Sequence, residues 1–161
     1  MTSQDREFQE LIRRLVDTLH EELRQNQRLI RLVRRKKEAH LGRMSGEIEG
    51  LLRIERELVT NAVTLERDRI SIVTELGQLM NHPQPARLRI AEILLYADPE
   101  CRDELLELRD ELRDMADELD DLAAVDPLFS THRKDQLRVY ASPGCSRSVQ
   151  GQAADAGSGK R

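Results

Sequence analysis

The side chains here with catalytic or metal-binding potential are four histidines, two cysteines and many carboxylates. The histidines stand at His20, His40, His82 and His132, too scattered for their spacing to define one site. Asp17 and His20 are three residues apart, on one face of a helix. That is half of a carboxylate-bundle iron pattern, which needs two Glu-x-x-His helices and two further glutamates. The second half is missing, so the pair reads as solvated side chains. Cys101 and Cys145 lack the spacing of a disulfide framework or a zinc site and read as thiols in a reducing compartment. No glycine-rich phosphate loop or nucleophile elbow is present. Gly42, Gly46 and Gly50 repeat every fourth residue in a polar segment. That is the wrong setting for membrane helix packing and suits a loosened bend. The expectation is no enzyme, no metal and no cofactor.

Charge is the more informative chemistry. From Arg24 to Lys37 there are seven basic residues and no acidic one, whereas Asp98 to Asp121 holds twelve acidic and three basic residues. Two such blocks can be solvated faces, can attract each other across a bundle, or can form a docking face for a charged partner. Mutual attraction is the expectation. A nucleic-acid site would interleave stacking aromatics with the basic residues, and none are near. With a net charge of −4, no bulk attraction to nucleic acid or membrane follows.

The elements that carry these charges are helical. Phe8, Leu11, Ile12, Leu15, Val16, Leu19 and Leu23 form the stripe of one amphipathic helix. The rhythm breaks at Asn26 and resumes with Leu29, Ile30 and Val33. Gly42 offers a stop with positive φ, and Ser45 a side-chain cap for the next helix. From Met44 to Leu79, steps of four and three meet apolar residues at nine of eleven positions, the period of a supercoiled seam. Glu55 and Arg69 are the exceptions. Their long stems predict a place at the wet edge of the seam. Asn81-His82-Pro83 ends this helix. A third arm starts at Pro85, is kinked at Asp98-Pro99, and continues through Cys101, Leu105, Leu108, Leu112, Met115, Leu119 and Leu122.

These patterns predict an all-α fold: an elongated antiparallel three-arm helical bundle with arms 3–41, 45–80 and 85–124 and a kink at Pro99. Residues 1–126 form the bundle and 127–141 are irregular. Residues 142–161 hold four of the eight glycines and no leucine or isoleucine, and are expected to be disordered. At 161 residues, with aromatics at 2% and charged residues at 35%, the chain suits one helical domain and not a pocket lined by aromatics. The polar N-terminus is no signal peptide, and the longest apolar run, Ile93 to Ala97, is too short to cross a bilayer. A cytoplasmic protein is the expectation.

The order of elements resembles a known family. A leucine-rich helix ends in KKEAHLGRMSGEIEGL. It is followed by LLRIERELVTNAVTLERDRISIVTELGQL, then by LLYADPECRDELLELRDELRDMADELDDL. Over roughly residues 8–124 this resembles the FlgN family of flagellar type III export chaperones, with Leu65-Glu66-Arg67-Asp68-Arg69 and Leu76-Gly77 the most family-like piece. The stretch ELDDLAAVDPLFSTHRKDQLRVYASPG lacks the asparagine pair common in that family and carries Pro127. The resemblance implies a cytoplasmic chaperone that binds hook–filament junction proteins and delivers them to the membrane export gate, touching the membrane apparatus only peripherally. It places recognition in the C-terminal helix. There the apolar seam Leu105, Leu108, Leu112, Met115, Leu119 and Leu122 could receive an amphipathic partner helix. The competing class is a structural coiled coil that associates with itself through the same seams.

Overall fold

The computed structural model describes residues 2–123, which are mostly helical, with no strand among them. Helix α1 spans Ser3–Leu41 and α2 spans Ser45–Leu79. A 3-10 turn follows at Pro85–Arg87, then the single-turn α3 (Ile90–Ile93) and the long α4 (Pro99–Ala123). The expectations for 127–141 and 142–161 lie outside the described residues.

A reciprocal cap starts α1. Thr2 Oγ1 accepts from the Asp5 backbone N–H at 3.1 Å, and the Asp5 carboxylate accepts from the Thr2 N–H at 2.7 Å. That pairing holds the Asp5 carboxyl below its ordinary range, the Thr2 backbone bond being the larger cause. At a rise of 1.5 Å per residue, α1 is about 58 Å long and α2 about 52 Å. Their ion pairs show how they lie. Lys36 meets Glu55, and Glu22 meets Arg69, so residues later in α1 face residues earlier in α2, and the two helices are antiparallel. His20 meets Glu104 and Arg34 meets Glu118, so α4 runs parallel to α1.

Both long helices end in the same backbone motif. After α1, the Met44 N–H reaches the Ala39 carbonyl at 3.0 Å and the Arg43 N–H reaches that of His40 at 3.2 Å. After α2, His82 bonds to Gly77 at 2.8 Å and Asn81 to Gln78 at 3.1 Å. This six-to-one and five-to-two pairing needs a left-handed residue, and Arg43 (φ 54°) and Asn81 (φ 53°) supply it. Gly42 does not, since its φ is −79°: the chain turns one residue later than the glycine suggests. Ser45 is likewise not the cap of α2. Met44 occupies that position without a side-chain hydrogen bond, and Ser45 is already helical.

The third arm departs most from expectation. It is three pieces and not one helix kinked at Pro99. Pro83 and Pro85 lack the N–H a continuous ladder needs, and the residue before each proline is pushed out of the helical region. Pro85 sits at the first position of the 3-10 turn and Pro99 at that of α4, where the missing donor costs nothing. Gly77 makes room for this segment: a Cβ there would stand 2.5 Å from Pro85 Cα and 2.7 Å from its carbonyl oxygen. Beyond the exposed 3-10 turn, the segment sends apolar side chains inward. Leu88, Ile90, Ile93 and Ala97 complete a core with Leu11, Ile12, Leu15, Leu19, Ile72, Leu76, Leu105, Leu108 and Leu112. A second, smaller cluster nearer the α1–α2 bend joins Leu29, Ile30, Leu32, Val33 and Leu58 to Leu119 of α4.

Candidate functional site

The six seam residues of α4 fall into two groups. Leu105, Leu108 and Leu112 are buried in the larger core. Leu119 is buried in the smaller cluster, with Met115 and Leu122 half-buried against it. The seam is thus occupied by the chain's own hairpin, and a partner helix reaches it only where α4 lifts away. The arm's acidic faces do not keep it off the hairpin, because its carboxylates stay at the rim in water while the leucines carry the contact.

Polar contacts line that rim. His20 Nε2 lies 2.7 Å from Glu104 Oε1, both side chains about 40% exposed. Arg34 pairs with Glu118 lower down. Exposed pairs of this kind contribute between zero and about 1 kcal/mol each. The expected pairing of the basic block with the acidic arm is therefore present at Arg34. Other members of the block face elsewhere: Arg35 binds Glu47 of α2 and Glu38 of its own helix, and Arg24 binds Glu21 one turn away. Hydrogen bonds from Gln25 and Arg24 hold the Glu21 carboxyl below its ordinary range, and Glu47 and Glu38 raise Arg35 further above its own.

The two seam exceptions of α2 are not at a wet edge. Glu55 and Arg69 are 3% and 1% exposed, because α1 places a complementary charge opposite each. Lys36 Nζ donates to the two Glu55 oxygens at 3.1 and 3.0 Å. Arg69 Nε donates to Glu22 Oε1 at 2.9 Å. Burial of this kind favours one alignment of the hairpin over a slipped one, since a slip would separate both pairs at once.

His20 faces Glu104 and not Asp17 as a ligand partner, and among the described residues no three His, Cys, Asp or Glu side chains gather to hold a metal ion. Cys101 is half-buried beside the larger core, and burial pushes its thiol up. No helix of the described residues is long and apolar enough to cross a membrane.

One surface was missed from the sequence. A groove of about 500 Å³ with no α4 residue in its lining lies between α1 and α2, lined by Arg28, Arg31, Leu32 and Arg35 of α1 and by Leu51, Ile54 and Leu58 among residues of α2. Its signal was present as the spacing Arg24, Arg28, Arg31, Arg35, which puts four guanidiniums on one face of α1. Comparison of the chain with protein-family models, with curated proteins and with solved structures returned no match.

Proposed function

We propose that this chain is a non-enzymatic export chaperone of the FlgN kind. It is an elongated three-arm helical bundle that holds hook–filament junction proteins by helix packing in the cytoplasm and delivers them to the flagellar type III export gate. The observation that carries this is the divided anchorage of α4. Its first half is bound into the main core, while its second half rests on a smaller cluster through Leu119, with Met115 and Leu122 half-buried. A segment held by few buried apolar contacts opens at lower cost than the whole fold. Lifting the second half of α4 would expose leucines on both sides of the gap, and an amphipathic partner helix can insert there. The resemblance of residues 8–124 to the family adds the identity of the partner and of the gate.

The test is binding of the C-terminal segment of a hook–filament junction protein to the full chain, by calorimetry and sedimentation. One-to-one binding is expected, and Met115→Glu with Leu122→Glu should weaken it more than about tenfold, a change of about 1.4 kcal/mol. Circular dichroism should show the helices retained, because both positions are half-buried. Absence of binding refutes the reading. Assembly of the chain into larger homo-oligomers, with no complex formed, would favour the structural coiled coil instead.

A further inference from the structure

The hairpin has two long grooves, and α4 fills one of them. The other is open. Its floor is Leu32, Leu51, Ile54 and Leu58, with Ile54 47% exposed. Leu32 and Leu58 also belong to the cluster that receives Leu119 of α4, so the two grooves share part of one apolar wall. The lining on α2 runs from Leu51 to Asn61, about 15 Å or three helical turns at 1.5 Å per residue. Along α1 the rim carries Arg28, Arg31 and Arg35, opposed in the lining by one carboxylate, Glu57. Arg35 is engaged by Glu38 and Glu47, while Arg28 and Arg31 make no ion pair among the described residues.

We propose that this open groove is a docking site for an acidic, leucine-striped amphipathic helix of a partner protein. The occupied groove supplies the template. There a helix of that composition, α4, lays its leucines on the shared apolar wall while Arg34, from the same basic block, grips its Glu118. Arg28 and Arg31 stand at the corresponding rim of the open side, six and three residues before Arg34. The groove takes an occupant of opposite charge: carboxylates at i, i+3 and i+4 would reach both arginines while leucines between them cover Ile54 and Leu58. A second copy of the hairpin is disfavoured in this place, because its own groove would bring the same arginines face to face. The site is independent of any opening of α4.

The probe is a fluorescent synthetic helix of about three heptads, with leucine at the a and d positions and glutamate elsewhere. A control peptide carries the same leucines and lysine in place of each glutamate. Anisotropy with the full chain should show saturable one-to-one binding of the acidic peptide and none of the lysine peptide. Ile54→Lys, and separately Arg28→Glu with Arg31→Glu, should each weaken binding at least about tenfold. All three residues are solvent-facing, so unchanged melting temperatures are expected and would separate lost docking from lost folding. Met115→Glu with Leu122→Glu should leave this binding unchanged, which distinguishes it from exchange of the probe with α4. Equal binding of both peptides overturns the proposal, as does unaltered binding to the groove variants. Concentration-dependent dimerisation abolished by Ile54→Lys would also overturn it, by making the groove a contact between copies.

Discussion

Replacing Glu55 with Leu removes a carboxylate that a buried lysine grips with two hydrogen bonds. The Lys36 and Glu55 side chains are 8% and 4% exposed, and the ammonium donates to both carboxylate oxygens at close to 3 Å. In Glu55→Leu the ammonium loses both of these hydrogen bonds and meets a leucine in place of the carboxylate. Removing one partner of a buried pair costs about 3–5 kcal/mol, and the lysine stem can bend its head toward water, so the lower end applies here. A loss of about 3 kcal/mol is a large part of the 5–15 kcal/mol typical of a domain. Lys36→Met combined with Glu55→Leu should recover most of it, since a well-packed apolar pair replaces two desolvated charges. Urea unfolding followed by circular dichroism gives both values, provided the slopes agree between variants. The cycle should show a coupling of at least about 2 kcal/mol between the two sites. A single-variant loss below about 1 kcal/mol, the range of exposed pairs, would refute the reasoning, as would additive losses.

Other consequences follow from the backbone and from the thiol. Arg43→Gly should stabilise the chain by about 0.5–1 kcal/mol, because glycine takes the left-handed conformation at φ 54° without the Cβ penalty, partly offset by its greater freedom when unfolded; an unchanged melting temperature would contradict this. Gly50→Ala should also stabilise, by about 0.5–1 kcal/mol, since a Cβ there meets nothing within 4 Å in an exposed helix. Gly77→Ala should instead cost about 1–3 kcal/mol, because its Cβ collides with the Pro85 backbone; stabilisation there would show that the 3-10 turn yields freely. With Cys145 replaced by Ser, alkylation of Cys101 near pH 8 should be slower in the folded chain than in urea, burial having raised the thiol; equal rates would refute it.

The long helices were legible because local rules decide them. Apolar steps of four and three recur through Leu11–Val33, interrupted at Asn26, and through Ile48–Leu79, interrupted at Glu55 and Arg69, and the observed helices Ser3–Leu41 and Ser45–Leu79 contain both runs. The third arm was misjudged because apolar spacing continues through Leu88, Ile90 and Ile93 even though prolines on both sides forbid a continuous helix. There the spacing reported burial and not helicity. Glu55 and Arg69 were misplaced for a different reason. Their burial depends on what α1 sets opposite them, and that needs the exact register of the bend. Lys36–Glu55 and Glu22–Arg69 are both centred between Ser45 and Gly46, a symmetry visible only once the turn is located. For the α4 seam, the pattern fixed which face is apolar but not which surface covers it.

The hairpin alignment also implies an order of folding. Lys36 and Glu55 are separated by 19 positions and Glu22 and Arg69 by 47, whereas Arg34 and Glu118 are 84 apart. Loop-closure entropy grows as three-halves RT times the logarithm of the separation, so closing the farther buried pair directly costs about 0.8 kcal/mol more than the nearer one. The two long helices therefore zip from the bend outward, each turn shortening the loop that the next must close. The ion pairs of α4 close loops of 84 positions, longer than either pair within the hairpin, and its residues are the last of the described chain to leave the ribosome. Until Pro99–Ala123 has emerged, the cluster of Leu29, Ile30 and Val33 with Leu58 of α2 lacks the side that Leu119 closes. Among the described residues, the last contact to close is thus the docking of one leucine-lined, acidic helix onto a hairpin already formed.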